Sequence, residues 1–281
     1  MIKKVVVITG GGSGLGFASA YELGKSGYTV LISGTNKEKL QDAEEKLKDE
    51  GIDCYYAICN ISKSSDICYL LKYAISLGEI WALVNAAGVA PPRVKNEKSI
   101  IEINGIGAVN LCETFYKRMV KGGTIINIAS ICAYEIPRLL RPKHIYRLSE
   151  KNSYKCGVKL TRLSRLFGKK NAPNLAYAIS KCLVVYYSKK VSKRFYEENE
   201  IRILSISPSN FSTEMGKADI KERPDSVQKY FKKQAIEKSG DPSDLGFLVK
   251  CLIDERMKLL TASDIHFDGG WHGYNNGKVR W

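Results

Sequence analysis

The sequence predicts an α/β protein in which a doubly wound, seven-stranded parallel sheet carries helices on both faces. Three observations predict this fold class. Short apolar runs rich in β-branched residues alternate with longer segments of helical period. Neither an internal repeat nor a low-complexity linker divides the 281 residues, so we expect a single domain. Hydrophobic residues make up 44% of the chain, which excludes a disordered or fibrous protein.

The elements follow one another in regular order. Seven apolar runs are predicted as strands: 4–9, 29–33, 53–58, 81–85, 124–129, 201–207 and 263–267. Six segments between them have helical spacing and polar faces: 15–25, 37–50, 64–77, 98–120, 174–198 and 242–255. This alternation implies right-handed crossovers. The last helix begins with Asp241 as its predicted N-cap and Pro242 at its first position.

Charge and cysteine usage narrow the class of protein further. Lys and Arg number 44 against 29 Asp and Glu, a formal net charge of +15. No stretch approaches the roughly 20 apolar residues of a membrane helix, and the segment after Met1 lacks a signal-peptide layout. Eight cysteines lie singly along the chain, so we expect reduced thiols in a cytoplasmic protein that begins at Met1. The three histidines stand in no metal-binding frame, and no metal site is predicted.

A glycine-rich turn follows the first strand and leads into a helix. Glycines let a backbone approach a pyrophosphate, and a helix N-terminus offers it amides and a partial positive charge. We therefore predict a dinucleotide site, with a flexible strand-to-helix connection as the alternative. The expected contact residues of this turn are Thr9, Gly10, Gly12, Ser13, Gly14, Leu15 and Gly16.

Three polar features point to acid/base chemistry. Tyr177 and Lys181 stand four apart, so both project from one face of a helix, where an ammonium lowers the pKa of a phenol. A chance pair on an exposed helix is the alternative. Ser130 follows the fifth strand and can hydrogen-bond a substrate oxygen, although it can also be a simple helix cap. Asn104 lies in the fourth predicted helix beside two glycines that permit a kink.

The Thr-Gly-x-x-x-Gly-x-Gly spacing of residues 9–16, followed by these four residues in order, resembles the classical short-chain dehydrogenase/reductase family. The resemblance covers residues 4–270 and implies a single Rossmann-type NAD(P)-binding catalytic domain over 1–281. It implies hydride transfer between a nicotinamide and a secondary alcohol or ketone. In the implied catalytic set Tyr177 exchanges the proton, Ser130 orients the substrate oxygen, Lys181 lowers the tyrosine pKa and binds the nicotinamide ribose, and Asn104 holds a water of the proton relay.

The same resemblance supplies the remaining cofactor contacts. They follow the third, fourth and sixth strands: Asn60, Ile61, Asn85, Ala86, Ala87, Gly88, Pro208 and Thr213. Ser209 and Ala262 stand where the family commonly has Gly. At the end of the second strand no carboxylate is present to repel a 2′-phosphate, and Ser13, Thr35, Asn36 and Lys37 offer donors to it. Although Thr35 replaces the usual Arg, we predict a preference for NADP(H) over NAD(H).

Two segments interrupt the alternation of elements, and both follow strand ends on the ligand-binding side. Ser130 and Tyr177 are far apart for the family, so 135–172 is predicted to be an inserted helical segment before the catalytic tyrosine. It carries eleven basic and two acidic residues, a net charge of +9. Steering of an anionic substrate, a solvated helix pair and contact with nucleic acid or a membrane surface are the three explanations for this charge. The second segment, 209–240, is predicted to be a substrate lid.

The insertion and the tail 271–281 resemble the 3α-hydroxysteroid dehydrogenase/carbonyl reductase branch, in which inserted helices obstruct the usual subunit interface. We therefore predict a homo-oligomeric hydroxysteroid dehydrogenase or carbonyl reductase, a dimer or tetramer, acting on an apolar and possibly anionic small molecule. We expect neither a nucleic-acid partner nor stable membrane insertion. A 3-oxoacyl-thioester reductase and a non-catalytic dinucleotide-sensing protein are the alternative functions.

Overall fold

In the computed structural model, which describes residues 2–91 and 93–276, seven parallel strands form one sheet in the order β3-β2-β1-β4-β5-β6-β7. The strands are β1 (Lys4–Thr9), β2 (Thr29–Gly34), β3 (Cys54–Ile58), β4 (Glu79–Asn85), β5 (Thr124–Ile128), β6 (Arg202–Pro208) and β7 (Asp264–Phe267). The strand order reverses between β1 and β4, which opens a crevice at the carboxyl edge of the sheet. The predicted fold class and all seven predicted strands are confirmed.

Helices cover both faces of this sheet. They are α1 (Gly14–Lys25), α2 (Lys37–Asp49), α3 (Ser64–Leu77), α4 (Glu97–Ile100), α5 (Ala108–Phe115), α6 (Lys143–Tyr146), α7 (Ser153–Ser164), α8 (Ala172–Asn199), α9 (Glu214–Glu222), α10 (Pro224–Phe231), α11 (Pro242–Ile253) and α12 (Trp271–Asn276). Helices α3, α5 and α8 bury one apolar cluster against the sheet, and α1, α2 and α11 bury a second on the opposite face. The predicted cap of α11 is confirmed, because the Asp241 carboxylate accepts from the Ser243 amide at 2.9 Å.

The single helix predicted over 98–120 is wrong. The chain instead runs through α4, a π-helical stretch Ile101–Gly107, α5 and a short 3₁₀ turn Tyr116–Arg118. Two glycines explain the wide turns, because a Cβ at Gly107 would lie 2.8 Å from the Ile61 carbonyl oxygen and one at Gly105 would lie 3.2 Å from Leu183. Asn104 lies within this π-helical stretch and is buried.

The inserted segment forms a small helical layer of its own. After a 3₁₀ turn at Arg138–Leu140 come α6 and α7, and α7 packs across α4, the π-helical stretch and α8. A third apolar cluster, which includes Tyr146, Cys156 and Leu160, lies beneath it. The Tyr146 hydroxyl donates to the Ile179 carbonyl at 3.2 Å, which fastens the insertion to the middle of α8.

Ala262, in the turn before β7, adopts a left-handed backbone conformation with φ of 57°. Its amide donates to the Ile203 carbonyl at 2.9 Å, so the turn is held against β6. An alanine in this conformation is strained, since its Cβ crowds the following carbonyl. This position is the one at which the family resemblance implies a glycine.

All eight cysteines carry free thiols, and five of them are buried. Across 2–91 and 93–276, no helix combines the length and the hydrophobicity needed to cross a bilayer. The same part of the chain holds no group of three or more His, Cys, Asp or Glu side chains arranged to bind a metal ion. Part of the tail 271–281, which the branch resemblance singles out, lies outside the described residues.

Candidate active site

The glycine turn between β1 and α1 forms one wall of a cleft at the carboxyl edge of the sheet. Gly10 and Gly14 have φ of 70° and 57°, a region that favours glycine. A Cβ at Gly10 would lie 2.8 Å from the Ala86 backbone, and one at Gly16 would lie 2.2 Å from the Gly10 carbonyl oxygen. Gly10 and Gly16 therefore have no room for a side chain, and the turn brings bare backbone to the α1 N-terminus, where helix amides lack intrahelical partners. These residues fit the pyrophosphate of a dinucleotide.

A chain of buried hydrogen bonds supports this turn from below. The Thr9 hydroxyl donates to the Asn85 side-chain oxygen at 2.8 Å and accepts from the Ala87 amide at 3.2 Å. The Asn85 amide donates to the Asn127 oxygen at 3.1 Å, and the Asn127 amide donates to the Ser188 hydroxyl at 3.0 Å. The chain thus joins β1, β4, β5 and α8. Thr9 and the loop 85–88 serve here as scaffold of the predicted cofactor site.

The predicted adenosine-side residues lie at the ends of β2 and β3. Thr35, Asn36 and Lys37 are exposed at the start of α2, where the Asn36 oxygen caps the helix by accepting from the Lys39 amide at 2.9 Å. Asn60 is similarly engaged, since its side-chain oxygen accepts from the Ser62 amide at 3.0 Å and from its hydroxyl at 2.8 Å. Ile61, the next residue, is buried.

The predicted nicotinamide-side residues lie after β6. Pro208 ends that strand, and the Thr213 side chain caps α9 by accepting from the Gly216 amide at 3.1 Å. A Cβ at Gly14 would lie 3.2 Å from the Thr213 methyl group, so the glycine turn and the start of α9 face each other closely. Pro208 and Thr213 line the cleft with the phosphate turn, and their contact with a nicotinamide stays a prediction.

Ser130, Tyr177 and Lys181 line the same cleft, whose volume is about 440 Å³. Ser130 caps the 3₁₀ turn Ile131–Tyr134, since its hydroxyl accepts from the Cys132 amide at 3.2 Å. Lys181 is buried, and its ammonium donates to the Ile128 carbonyl at 2.8 Å. That ammonium lies 5.9 Å from the centre of the Tyr177 ring. The helix spacing and the strand end therefore bring together the three side chains that the sequence singled out.

Asn104, the fourth member of the set, holds the loop after β4. Its side-chain amide donates to the Val89 carbonyl, and its oxygen accepts from the Val89 amide, both at 2.8 Å. A Cβ at Gly88 would lie 3.3 Å from the Asn104 oxygen and 3.5 Å from the Lys181 ammonium. Asn104 and Lys181 thus flank Gly88 closely, and the water-holding role of Asn104 stays a prediction.

The electrostatics of the Tyr177–Lys181 pair differ from the expectation that the lysine lowers the tyrosine pKa. Burial raises the pKa of the Tyr177 phenol above its usual value, and the hydrogen bond with Ser130 acts in the opposite direction. Burial also lowers the pKa of Lys181 to about 8. Desolvation dominates both groups, because each is enclosed by the strand ends and the turn after β5. The phenol is therefore protonated at neutral pH.

Sequence reasoning missed several polar side chains of the cleft. They come from the turn after β5, the loop after β4 and the segment 209–240: Arg93, Cys132, Glu135, Glu214, Asp219 and Arg223. Arg223 pairs with Asp219 one turn before it, and Glu214 pairs with both Lys39 and Arg93 at the rim. The only available signal was the i, i+4 spacing of Asp219 and Arg223. The cleft is more polar than the apolar one we expected.

None of the eleven basic residues of 135–172 is among the described residues that line this cleft. Ten of them are exposed, among them Arg165, which pairs with Glu97 at 2.7 Å, and the eleventh, Arg141, is half-buried over the Tyr134 ring. Any steering by this charge therefore acts from a distance and not by contact in the cleft.

The fold and this cleft define a nicotinamide-dinucleotide oxidoreductase of the Rossmann type. A family model described as "short chain dehydrogenase" matches residues 4–139, and one described as "Enoyl-(Acyl carrier protein) reductase" matches residues 143–272. The chain belongs to the short-chain dehydrogenase/reductase family and is an NAD(P)-dependent dehydrogenase or reductase.

Curated relatives extend over nearly the whole chain. A 3-oxoacyl-[acyl-carrier-protein] reductase FabG of Chlamydia muridarum is 25% identical over 281 residues, 96% of this chain and 98% of the relative. A 2,5-dichloro-2,5-cyclohexadiene-1,4-diol dehydrogenase LinX of Sphingobium indicum is 26% identical over 277 residues, 95% of this chain and 96% of the relative. These two proteins carry different substrates in their names, so the likeness leaves the substrate class open.

Solved structures show the same fold. An actinorhodin polyketide ketoreductase variant with NADPH superposes with a TM-score of 0.75 at 20% identity, over 96% of this chain and 97% of that chain. The Pseudomonas aeruginosa RhlG/NADP active-site complex superposes with a TM-score of 0.73 at 20% identity, over 97% of each chain. At this identity the likeness concerns the fold alone.

Proposed function

We propose that this protein is an NADP(H)-dependent carbonyl reductase that reduces a ketone to a secondary alcohol, with Asn104, Ser130, Tyr177 and Lys181 as its catalytic set. One observation carries the proposal: Ser130, Tyr177 and Lys181 line the same cleft as the glycine turn. A binding protein that only senses a dinucleotide needs the turn but has no use for a proton donor beside it.

The glycine turn and the α1 N-terminus would hold the pyrophosphate of the cofactor, and Thr213 would meet its nicotinamide end. When bound, NADP(H) supplies or accepts the hydride. Ser130 orients the substrate oxygen by a hydrogen bond, and the Tyr177 hydroxyl gives its proton to that oxygen. The phenol is protonated at neutral pH, as a proton donor to a ketone oxygen must be.

The preference for NADP(H) over NAD(H) rests on the start of α2. A phosphate beside this helix would meet the exposed side chains of Thr35, Asn36 and Lys37 and the partial positive charge of the helix N-terminus. Two proteins of the same fold, the actinorhodin polyketide ketoreductase with NADPH and the RhlG/NADP complex, were solved with this cofactor.

For the substrate we propose a bulky ketone such as an oxosteroid, held under 209–240 as a lid. Helices α9 and α10 of this segment place Met215 and Val227 on the cleft as apolar contacts. A 3-oxoacyl thioester is the second candidate, favoured by the full-length likeness to the chlamydial 3-oxoacyl-[acyl-carrier-protein] reductase. We further propose a cytoplasmic homo-oligomer that does not bind nucleic acid.

The test is NADPH and NADH oxidation by the purified protein against ketosteroids, oxo-bile acids and acetoacetyl-CoA. Turnover of ketosteroids with NADPH supports the first candidate, and turnover of acetoacetyl-CoA alone selects the second. Tight cofactor binding without turnover of any carbonyl would replace both with the sensing protein. Faster oxidation of NADH than of NADPH would reject the cofactor preference.

A further inference from the structure

We propose that Tyr134 and Asp264 are positioning residues whose hydrogen bond holds the Ser130 turn in its catalytic place. The inference rests on the proposed role of Ser130 and adds two side chains that do not line the cleft. Tyr134 ends the 3₁₀ turn that Ser130 begins, so the turn has a polar anchor at each end. The Tyr134 hydroxyl donates to Asp264 at 2.5 Å.

Asp264 is well suited to anchor this turn because its carboxylate is fully buried, with 0% of its side chain exposed. The carboxylate accepts from the Ser205 hydroxyl at 2.5 Å and from the Ser207 hydroxyl at 2.8 Å, both on β6. Three hydroxyl donors therefore compensate one buried charge, and charge-assisted hydrogen bonds of this kind are stronger than neutral ones. The sheet holds the Asp264 carboxylate in place, and the hydrogen bond from Tyr134 to this carboxylate holds the end of the turn.

The Tyr134 ring is also held from the sides. The rings of His266 and His272 each lie 4.5 Å from it, and the Arg141 guanidinium lies 5.2 Å from its centre. The two histidines stack on each other at 3.9 Å. Rotation of the tyrosine away from Asp264 is therefore sterically opposed, which makes the hydrogen bond a rigid connection between β7 and the turn.

The connection ends at the reacting centre. Ser130 accepts from the Cys132 amide within the turn, and it lines the cleft together with Tyr177. The Ser130 hydroxyl also opposes the upward shift that burial imposes on the pKa of the Tyr177 phenol. A shift of the turn by a fraction of an ångström would move the Ser130 hydroxyl relative to the substrate oxygen. Misplacements of about 1 Å cost catalysis about a hundredfold in well-studied cases.

The experiment is a double-mutant cycle with Tyr134→Phe and Ser130→Ala, measured as kcat and KM for the ketone identified in the substrate panel. With Ser130 present, Tyr134→Phe should lower kcat about tenfold and leave the KM for NADPH unchanged. In the Ser130→Ala background the same change should alter kcat by less than about twofold. Equal losses in both backgrounds, or no loss in either, would overturn the inference.

Tyr196→Phe is the matched control, because it makes the same change at an exposed tyrosine of α8. Its kcat should stay within about twofold of wild type. If Tyr134→Phe does not fold, a pair of variants at Asp264 replaces it. Asp264→Asn keeps an oxygen that accepts from Tyr134, whereas Asp264→Leu has no acceptor. Asp264→Asn should keep most of kcat while Asp264→Leu loses it, and equal activity of these two variants would contradict the proposal.

A second measurement does not depend on turnover. Alkylation of the partly buried Cys132 by iodoacetamide, referred to the exposed Cys68 and read by peptide mass spectrometry, reports the closure of the turn. Tyr134→Phe should accelerate labelling of Cys132 and Tyr196→Phe should not. If wild type turns over no carbonyl, the proposed function fails by itself, and unchanged labelling in Tyr134→Phe then rejects the positioning role separately.

Discussion

The two walls of the cleft are built by different means. On the cofactor side, backbone segments pack directly against each other, so that a Cβ at Gly16 would lie 2.2 Å from the Gly10 carbonyl oxygen. On the substrate side, the contacts are made by side chains of distant segments, such as Glu135 from the turn after β5 and Arg223 from α9 and its end. Steric exclusion leaves one residue type at a position, whereas side-chain contacts can be exchanged. The cofactor wall should therefore tolerate few substitutions, and the substrate wall should change its preference before it loses its fold.

The largest effect is expected from loss of the proton donor Tyr177, which lies between the cofactor side and the substrate side of the cleft. Tyr177→Phe should lower kcat for ketone reduction by about 10²–10⁴-fold, because the hydroxyl that protonates the substrate oxygen is lost. NADPH binding, measured by fluorescence titration, should be unchanged. Tyr186→Phe on the same helix is the control and should retain full activity. A Tyr177→Phe enzyme as fast as wild type would remove the residue from the catalytic set.

The cost of burying Lys181 gives the next largest effect. The pKa of Lys181 is lowered from 10.5 to about 8 in the folded chain. Burial of Lys181 therefore destabilises the folded state at every pH at which the lysine is protonated in the unfolded chain. The penalty is complete below pH 8 and vanishes as the pH rises through 10.5. Lys181→Met removes this penalty, which is about 3 kcal/mol at pH 7, but leaves the buried Ile128 carbonyl without its donor. The free energy of unfolding should therefore rise by no more than about 2 kcal/mol at pH 7.

Denaturant titrations at pH 7 and pH 10 measure the gap, that is, the difference in free energy of unfolding between Lys181→Met and wild type. The gap should narrow at the higher pH, and the variant should be inactive at both. A gap that is constant with pH would mean that the methionine acts by packing alone.

The cofactor wall is tested directly by substitution within the glycine turn. Gly16→Ala should cost about 1–3 kcal/mol of stability, because its Cβ collides with a backbone oxygen that cannot move aside. Gly12→Ala is the matched control, since its Cβ would meet only ordinary contacts at 3.4 Å and beyond. Thermal unfolding of both should show a lower Tm for Gly16→Ala alone. Similar Tm values would mean that the turn has more room than the backbone contacts indicate.

Ala262→Gly tests the last strand, away from both walls. Glycine removes the strain of the left-handed conformation at φ of 57°, so the substitution should stabilise the protein by about 1 kcal/mol. Differential scanning calorimetry should show a Tm higher by about 2–4 °C. A lower Tm would indicate that the added freedom of the unfolded chain outweighs the relieved strain.

The basic face of α7 should give the smallest effect. Replacing Lys155, Lys159 and Arg162 by Glu should leave kcat/KM for an uncharged ketone within about twofold, because none of them lines the cleft. For acetoacetyl-CoA at low salt, kcat/KM should fall several-fold and recover at high salt, since steering is screened. Equal values for both substrates would favour the solvated helix pair over steering.

The features that the sequence predicts depend on contacts within a few residues, and the features that it misses depend on contacts between distant segments. The strands, the Asp241 cap and the glycine turn were predictable because periodicity, capping and steric exclusion act within a few residues. The π-helical stretch was not, since it depends on Ile61 and Leu183 pressing on Gly107 and Gly105. The bond between Tyr134 and Asp264 joins positions 130 residues apart, and neither residue type signals the other. The pKa of Tyr177 also required the structure, because burial and not its neighbour Lys181 dominates it.

The hydrogen-bonded chain from Thr9 through Asn85 and Asn127 to Ser188 has a consequence for biosynthesis. Its last member leaves the ribosome long after its first, about 10–40 s later at rates of about 5–20 residues per second. During that interval the phosphate turn exists without α8 beneath it, and the buried amides of β4 and β5 lack their final partner. We therefore expect the nascent chain to complete the support beneath its phosphate turn only after the middle of α8 has emerged.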